Sequence, residues 1–333
     1  MRAYYTDHFV LPLPAGHTFP MGKYERLRNR LVAELPGIRL AEALPASEGE
    51  LALAHVPRYV TAVLEGQLSA AEQREIGFPW SPRMAERARR SVGATIAAAR
   101  AALLGGEGVA ANLAGGTHHA QADKGSGYCV FNDVAVAARL MQAEWHRRAP
   151  GRGLLRVVVI DLDVHQGNGT AAIFRDDETV VTLSVHGAKN FPFRKEASDI
   201  DVDLPDGCSD APYLEAVDRA LRTLWERHDE AGHPPGLAFY LAGADPHEGD
   251  RLGRLKVSAA ALAERDRRVF AACRARAVPV AVSMAGGYGR NIDDSVGVHL
   301  GTLREAWRSW QTLQAPSPQS FDPPTAHESS PVP

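Results

Sequence analysis

Five short apolar runs, each followed at once by glycines or by acidic, histidine or tyrosine side chains, constrain this chain more than any other feature. Val109–Leu113 leads into Gly115-Gly116-Thr117-His118-His119. Arg156–Ile160 leads into Asp161-Leu162-Asp163-Val164-His165, and Thr179–Val185 into His186. Leu237–Leu241 runs into Gly243-Ala244-Asp245, and Val278–Met284 into Gly286-Gly287-Tyr288. Runs of this length and β-branched content read as buried parallel strands. Ligands in open α/β sheets gather outside the carboxyl ends of the strands. The pattern therefore predicts five segments delivering polar groups to one sheet edge.

Helical stretches alternate with the runs. Ser81-Pro82 reads as an N-cap with proline at the first helical position, and an Ala/Arg-rich helix runs on toward Gly105-Gly106. A second helix is expected from near Pro212, with Leu214, Val217, Leu221 and Leu224 at helical spacing and Gly232 as its stop. A third covers roughly Ser258 to Arg276. Strands alternating with helices predict an α/β fold: a single-domain parallel β-sheet flanked by helices on both faces.

The 333-residue chain can form one such unit, with residues 1–314 as the domain. From Ala315 the sequence APSPQSFDPPTAHESSPVP is too poor in aliphatic residues to bury a core, so 315–333 is expected to be a disordered Pro/Ser-rich tail. A formal net charge of -3 argues against a nucleic-acid partner. Trp145–Arg156 carries four arginines, but Pro150, Gly151 and Gly153 make it read as a solvated loop. Three scattered cysteines offer neither a disulfide framework nor a thiolate metal site. No apolar run spans a bilayer and the N-terminus lacks an apolar signal region, so the expectation is a cytoplasmic protein without a membrane partner.

Asp163 and His165, two residues apart in extended chain, share one side of the backbone. A lone D-x-H triplet is more often a turn than a metal site. Here Asp245 ends another strand and supplies a third ligand, which is what a catalytic metal with an open position needs. His118 and His119 are acid–base candidates, with Asp161 and Asn168 as their partners. Tyr288, in a Gly-Gly-Tyr-Gly loop, is a candidate donor to a developing oxyanion.

Taken together, GGTHHA (Gly115–Ala120), GYCVFND (Gly127–Asp133), DLDVHQGNGT (Asp161–Thr170), LAGAD (Leu241–Asp245) and GGY (Gly286–Tyr288) resemble the metal-dependent histone deacetylase family of the arginase/deacetylase superfamily. FPMGKY (Phe19–Tyr24) and FPFRK (Phe191–Lys195) look closest to its class IV branch and to bacterial histone-deacetylase-like amidohydrolases. The resemblance implies the arginase/deacetylase fold and one Zn2+ per chain on Asp163, His165 and Asp245. It implies that His119 serves as base and then acid, that His118 is its electrostatic neighbour, and that Tyr288 polarises the carbonyl. Gly127 and Tyr128 match one wall of an acyl-lysine tunnel and Phe191 the facing aromatic; Gly286 and Gly287 belong to the tyrosine loop. A structural K+ is implied near Asp161, Asp163, His165, Ser184 and Val185.

Asn168 departs from class I, which has an aspartate there, so His119 is expected to be less basic. Gln166 replaces a second histidine of the class I motif, with little expected effect. The reading is a zinc-dependent hydrolase of acetyl-lysine or longer acyl-lysine in proteins or peptides, with small acetylated amines such as acetylpolyamines as the alternative substrate. The eukaryotic polyamine enzyme carries an acid seven residues beyond the third ligand; Leu252 stands there, which favours an apolar wall. A two-manganese ureohydrolase would need further carboxylates that Leu162, Val164 and Pro246 do not supply. A non-catalytic protein that binds acylated ligands would often lack the metal ligands or the tyrosine, and all of them are present here. Asp199, Asp201, Asp203 and Asp206 alternate with Ile200, Val202 and Leu204, so they read as a strand with a wet face instead of a calcium loop. Gly16–Lys23 misses the phosphate-loop spacing and is set aside.

Overall fold

The apolar runs form strands, and every strand pairing in the computed structural model is parallel, over the described residues 1–148, 151 and 153–315. The strands are β1 (Arg2–Tyr5), β2 (Arg39–Glu42), β3 (Val109–Asn112), β4 (Val157–Asp161), β5 (Val180–Gly187), β6 (Ile200–Leu204), β7 (Leu237–Leu241) and β8 (Val280–Ser283). The helices are α1 (Lys23–Glu34), α2 (Glu48–Leu51), α3 (Pro57–Glu65), α4 (Ala70–Ile76), α5 (Pro82–Leu103), α6 (Asp133–Arg148), α7 (Asn168–Phe174), α8 (Asp210–Ala231), α9 (Ala259–Ala275) and α10 (Ile292–Gln314). One sheet holds all eight strands in the order β2-β1-β3-β8-β7-β4-β5-β6.

Strand side chains alternate between two cores, one on each face. Val158 and Ile160 of β4 join the core covered by α1, α8, α9 and α10. Val157 and Val159 join the core covered by α3, α5 and α6. Because parallel strands need both faces covered, β4, β7 and β8 read as continuous apolar runs instead of alternating ones. The expected architecture holds.

Local signals explain the helix boundaries. Ser81 accepts from the backbone N–H of Met84, Pro82 opens α5, and Ser258 caps α9 by accepting from Ala261 N–H. Gly232 closes α8 in the left-handed conformation. The structure shifts several expected bounds. α8 begins at Asp210, ahead of Pro212, and β5 runs on through His186. Trp145–Arg148 is the last turn of α6, so the arginine-rich loop reading fails for those residues. β6 does carry a wet face, with Asp201 and Asp203 exposed between buried Ile200 and Leu204. The tail expected from Ala315 lies, from residue 316 on, outside the described residues. Among the described residues no helix is long and apolar enough to cross a membrane.

Candidate metal centre and its cleft

The strand order makes β3, β8, β7 and β4 consecutive neighbours, so the segments leaving their carboxyl ends converge. From β4 come Asp163 and His165, from β7 Asp245, from β8 the Gly286–Tyr288 loop, and from β3 the histidine pair. The fifth expected segment does not take part. His186 stays inside β5, where Nδ1 meets Ser184 Oγ at 2.9 Å and Nε2 lies 3.1 Å from Asp203.

Asp163, His165 and Asp245 are buried, and one ligand atom of each lies within 4.8 Å of the other two. This is the one such group among the described residues. His165 Nδ1 stands 2.9 Å from Asp163 Oδ1 and 3.1 Å from Asp245 Oδ2. Backbone donors fix the remaining oxygens: Gly286 N–H to Asp163 Oδ2 at 2.7 Å and Val164 N–H to Asp245 Oδ1 at 2.9 Å. Arg265 of α9, fully buried, donates to Leu162 O at 3.3 Å and Gly243 O at 2.7 Å, tying together the two strand ends that carry the carboxylates.

Two buried carboxylates this close repel one another. Burial, then Asp163, push the Asp245 carboxyl up to about 7. Burial opposes charge on His165, yet Asp163 and Asp245 outweigh it and raise the imidazole to about 10. The field that draws a proton there draws any cation, and a divalent ion satisfies both carboxylates at once. The backbone leaves room for one: a Cβ on Gly286 would lie 2.0 Å from Asp245 Oδ2 and 2.6 Å from Asp163 Oδ2. The donor set of two carboxylates and one imidazole thus fits a resident catalytic metal.

The histidine pair follows a Gly115-Gly116 turn with positive φ at both residues. Asp133, fully buried, holds that turn by accepting from Gly116 N–H at 2.9 Å and Thr117 N–H at 2.8 Å. His118 Nδ1 meets Asp161 Oδ2 at 2.6 Å, and His119 Nδ1 meets Asn168 Oδ1 at 2.7 Å. The two environments push the rings apart. Burial opposes charge on His118, but Asp161 and Asp163 raise it to about 9. Burial, then His118 and His165, hold His119 well below the usual histidine range. The pair is therefore one held cation beside one neutral base.

An open cleft of about 810 Å³ leads down to this centre. Gly127, Tyr128, Phe191 and Leu252 line it, and His119, His165, Asn168 and Tyr288 also face it. The Phe191 ring meets His119 edge-on at 4.9 Å. Gly127 sits between them, where a Cβ would be 2.7 Å from His119 and 2.9 Å from Phe191. Tyr128, in the left-handed region at φ 66, is held by its N–H on Ile76 O at 2.7 Å and its hydroxyl against Thr18 Oγ1 at 2.6 Å. A smaller cavity of about 40 Å³ adjoins the centre and reaches Gly286. Gly287 lines neither space, and Asp161 stands behind His118.

Tyr288 is buried, and its phenol is pushed well above the ordinary range by burial, then by Asp163 and Asp245. Its N–H donates to Asp250 Oδ2 at 2.6 Å; Asp250 Oδ1 takes Leu252 N–H and Gly253 N–H, each at 2.8 Å. Lys23, almost fully buried, donates Nζ to Ala285 O at 3.2 Å and Gly287 O at 3.3 Å. Sequence reasoning missed Lys23, Asp250 and Arg265 as supports of the site. It also expected little of Gln166, which is buried and brackets the Phe191 loop, donating to Glu196 O at 2.6 Å and accepting from Glu196 N–H at 2.9 Å.

Residues 17–303 match the family model described as the histone deacetylase domain. Over 299 residues, 89% of this chain and 94% of the relative, the sequence is 43% identical to an uncharacterized protein of Picosynechococcus. It is 31% identical to histone deacetylase 2 of Arabidopsis thaliana, over 84% of this chain and 73% of that protein. In fold it is similar to the crystal structure of an HDAC homolog from Aquifex aeolicus, with TM-score 0.74, 22% identity, and 94% and 87% of the two chains covered. A family match over most of the length, on the fold that such proteins share, leads to one conclusion: this chain belongs to the histone deacetylase family.

Proposed function

We propose that this chain is a zinc-dependent amidohydrolase that removes acetyl or longer acyl groups from the lysine side-chain amine of proteins or peptides. The observation that carries the reading is the opposed polarisation of two adjacent histidines beside a metal-competent triad at the floor of an aromatic-walled cleft. Residues 1–314 are the catalytic domain in this reading.

Asp163, His165 and Asp245 would hold the zinc ion, which supplies Lewis acidity toward the acyl carbonyl and toward water. His119 gives its Nδ1–H to Asn168 Oδ1, leaving Nε2 with a lone pair to take a proton from the attacking water. His118, paired with Asp161, keeps a positive charge next to that step and limits how long His119 retains the proton. His119 Nε2 then returns it to the departing amine. The Tyr288 hydroxyl, held protonated by its surroundings, donates to the oxyanion as the carbonyl carbon becomes tetrahedral. Gly127, Tyr128 and Phe191 grip the alkyl stem and exclude water, and Leu252 adds an apolar edge at the mouth. Gly286 anchors Asp163, and Gly287 turns the chain into Tyr288. A structural K+, as the resemblance implies, would be held by groups of Asp161, Asp163, His165, Ser184 and Val185; the parallel pairing of β4 with β5, Asp161 beside Ser184, is compatible with that.

The test is release of free lysine side chains by zinc-loaded protein, across peptides from acetyl-lysine to myristoyl-lysine, with His119→Ala alongside. Turnover lost in the variant supports the reading. No turnover at any chain length, in protein holding one metal per chain, moves the substrate to small acetylated amines or overturns hydrolysis altogether.

A further inference from the structure

The charged side chains around the cleft mouth are unevenly matched. Arg74, Glu75, Lys124, Arg194 and Glu196 line it. Glu75 is taken by Lys124 at 2.6 Å, and Glu196 by Arg175. Arg74 and Arg194 are exposed and have no hydrogen-bond or ion-pair partner among the described residues. Both acids of the mouth are thus neutralised, and two guanidiniums remain without a partner among the described residues.

They belong to two separate segments of the lining, and each segment is braced. Arg74 lies in the last turn of α4, which receives Gly127 N–H on Glu75 O at 3.1 Å and Tyr128 N–H on Ile76 O at 2.7 Å. Arg194 follows Phe191 and the 87% exposed Phe193 on the second segment. Lys195 Nζ pins that loop to Asn190 O and Pro192 O, both at 2.7 Å, and Asn190 Nδ2 donates to Leu252 O at 2.8 Å. Two exposed cations thus ride on braced backbone at the entrance, beside apolar Phe193 and Leu252, and both carboxylates among the cleft's lining residues are paired.

We propose that Arg74 and Arg194 select acylated substrates that carry a carboxylate close to the acyl-amine, and turn away substrates that carry a cation there. The proposal rests on the acyl-lysine hydrolase reading and names its substrate class. A free guanidinium offers a planar fork of donors that matches a carboxylate. Within a Debye length of about 8 Å, two like charges at the mouth raise the local concentration of anionic groups and lower that of ammonium groups. The carboxylate has two chemical sources: an acidic residue flanking acyl-lysine in a peptide, or the α-carboxylate of free Nε-acetyl-lysine.

The test uses zinc-loaded protein and three acetyl-lysine peptides that differ only in flanking Asp, Ala or Lys, together with free Nε-acetyl-lysine and acetylspermidine. We expect kcat/KM for the Asp-flanked peptide to exceed that for the Lys-flanked one by about tenfold, from two charges acting across a few ångströms of water. High salt should shrink the ratio. R74Q/R194Q should erase it and R74E/R194E invert it, with metal content and unfolding temperature read alongside. Free Nε-acetyl-lysine turned over as well as the Asp-flanked peptide would assign a small-molecule source, and its rejection a peptide source. Equal rates for the three peptides, a ratio untouched in both double variants, or acetylspermidine as the best substrate would each overturn the proposal. Should nothing be hydrolysed, fluorescence anisotropy of the same labelled peptides still reads the charge preference, so loss of hydrolysis would count against the enzymatic reading alone.

Discussion

His119 and Asn168 meet Nδ1 to Oδ1 at 2.7 Å, while the adjacent His118 meets a carboxylate, Asp161, at 2.6 Å. A neutral amide orients an imidazole without adding to its basicity; a carboxylate does both. Asn168→Asp should therefore raise the pKa of His119. A base must be unprotonated to act, so the acid limb of kcat/KM against pH should move to higher pH, by about one to two pH units. An acid limb left where it was would remove His119 from the role of base.

Burial, then Asp163 and Asp245, push the Tyr288 phenol well above its ordinary range, so its hydroxyl stays a donor. Tyr288→Phe should lower kcat by about a hundredfold to a thousandfold, the usual cost of one oxyanion donor. KM and bound metal should change little, because the ring stays and the hydroxyl ligates nothing. Full turnover in this variant would end the oxyanion assignment.

What the sequence disclosed follows from how far apart the cooperating residues lie. Asp163 and His165 are two positions apart, and strand periodicity alone puts them on one side. Asp245 sits at an equivalent strand end, and its meeting with Asp163 follows once β4 and β7 are neighbours. Lys23 was opaque because a lysine at the start of a helix ordinarily lies in water, and its carbonyl partners are more than 260 residues away. Arg265 was opaque for the same reason, one buried arginine on an arginine-rich helix. His186 misled in the other direction: it ends an apolar run, but the strand continues through it and its ring turns to Ser184 and Asp203.

Two glycines on neighbouring segments should respond oppositely to the same substitution. Gly286→Ala places a methyl 2.0 Å from Asp245 Oδ2, so the carboxylates must spread. Metal retained after dialysis should fall sharply, as should the rise in unfolding temperature on adding zinc. Gly297, inside α10, has Arg30 as its nearest neighbour at 3.8 Å, so Gly297→Ala should stabilise by roughly 0.5–1 kcal/mol through helix propensity. Equal metal retention in the two variants would refute the crowding argument.

His55 gives a pH dependence away from the metal. It is buried beneath the loop that follows the histidine pair and accepts from Asn132 N–H at 2.9 Å. Burial lowers its pKa to about 4 from 6.5. The unfolded chain binds a proton between those values and the folded one does not. The contribution is therefore fully present above about pH 6.5 and is lost as pH falls toward about 4, by about 3 kcal/mol in all. Urea unfolding across that range should show a shallower fall for His55→Gln than for the parent. Parallel slopes would mean the ring is not kept neutral.

Lys23 supplies the last expectation. Its ammonium, 5.4 Å from the Tyr288 ring centroid, donates to carbonyls on both sides of Gly286, the residue whose N–H grips Asp163. One buried cation thus sets the loop that presents Tyr288 and steadies a metal ligand. Removing it strands two buried carbonyls, at about 1–3 kcal/mol each. Lys23→Met should lower kcat on the order of tenfold to a hundredfold through misplacement of the tyrosine, with KM nearly unchanged because the cleft walls are elsewhere. Lys23→Arg keeps donors at the same depth and should restore part of kcat. If Lys23→Met lowers stability but leaves kcat intact in the folded fraction, the lysine holds the loop without setting Tyr288.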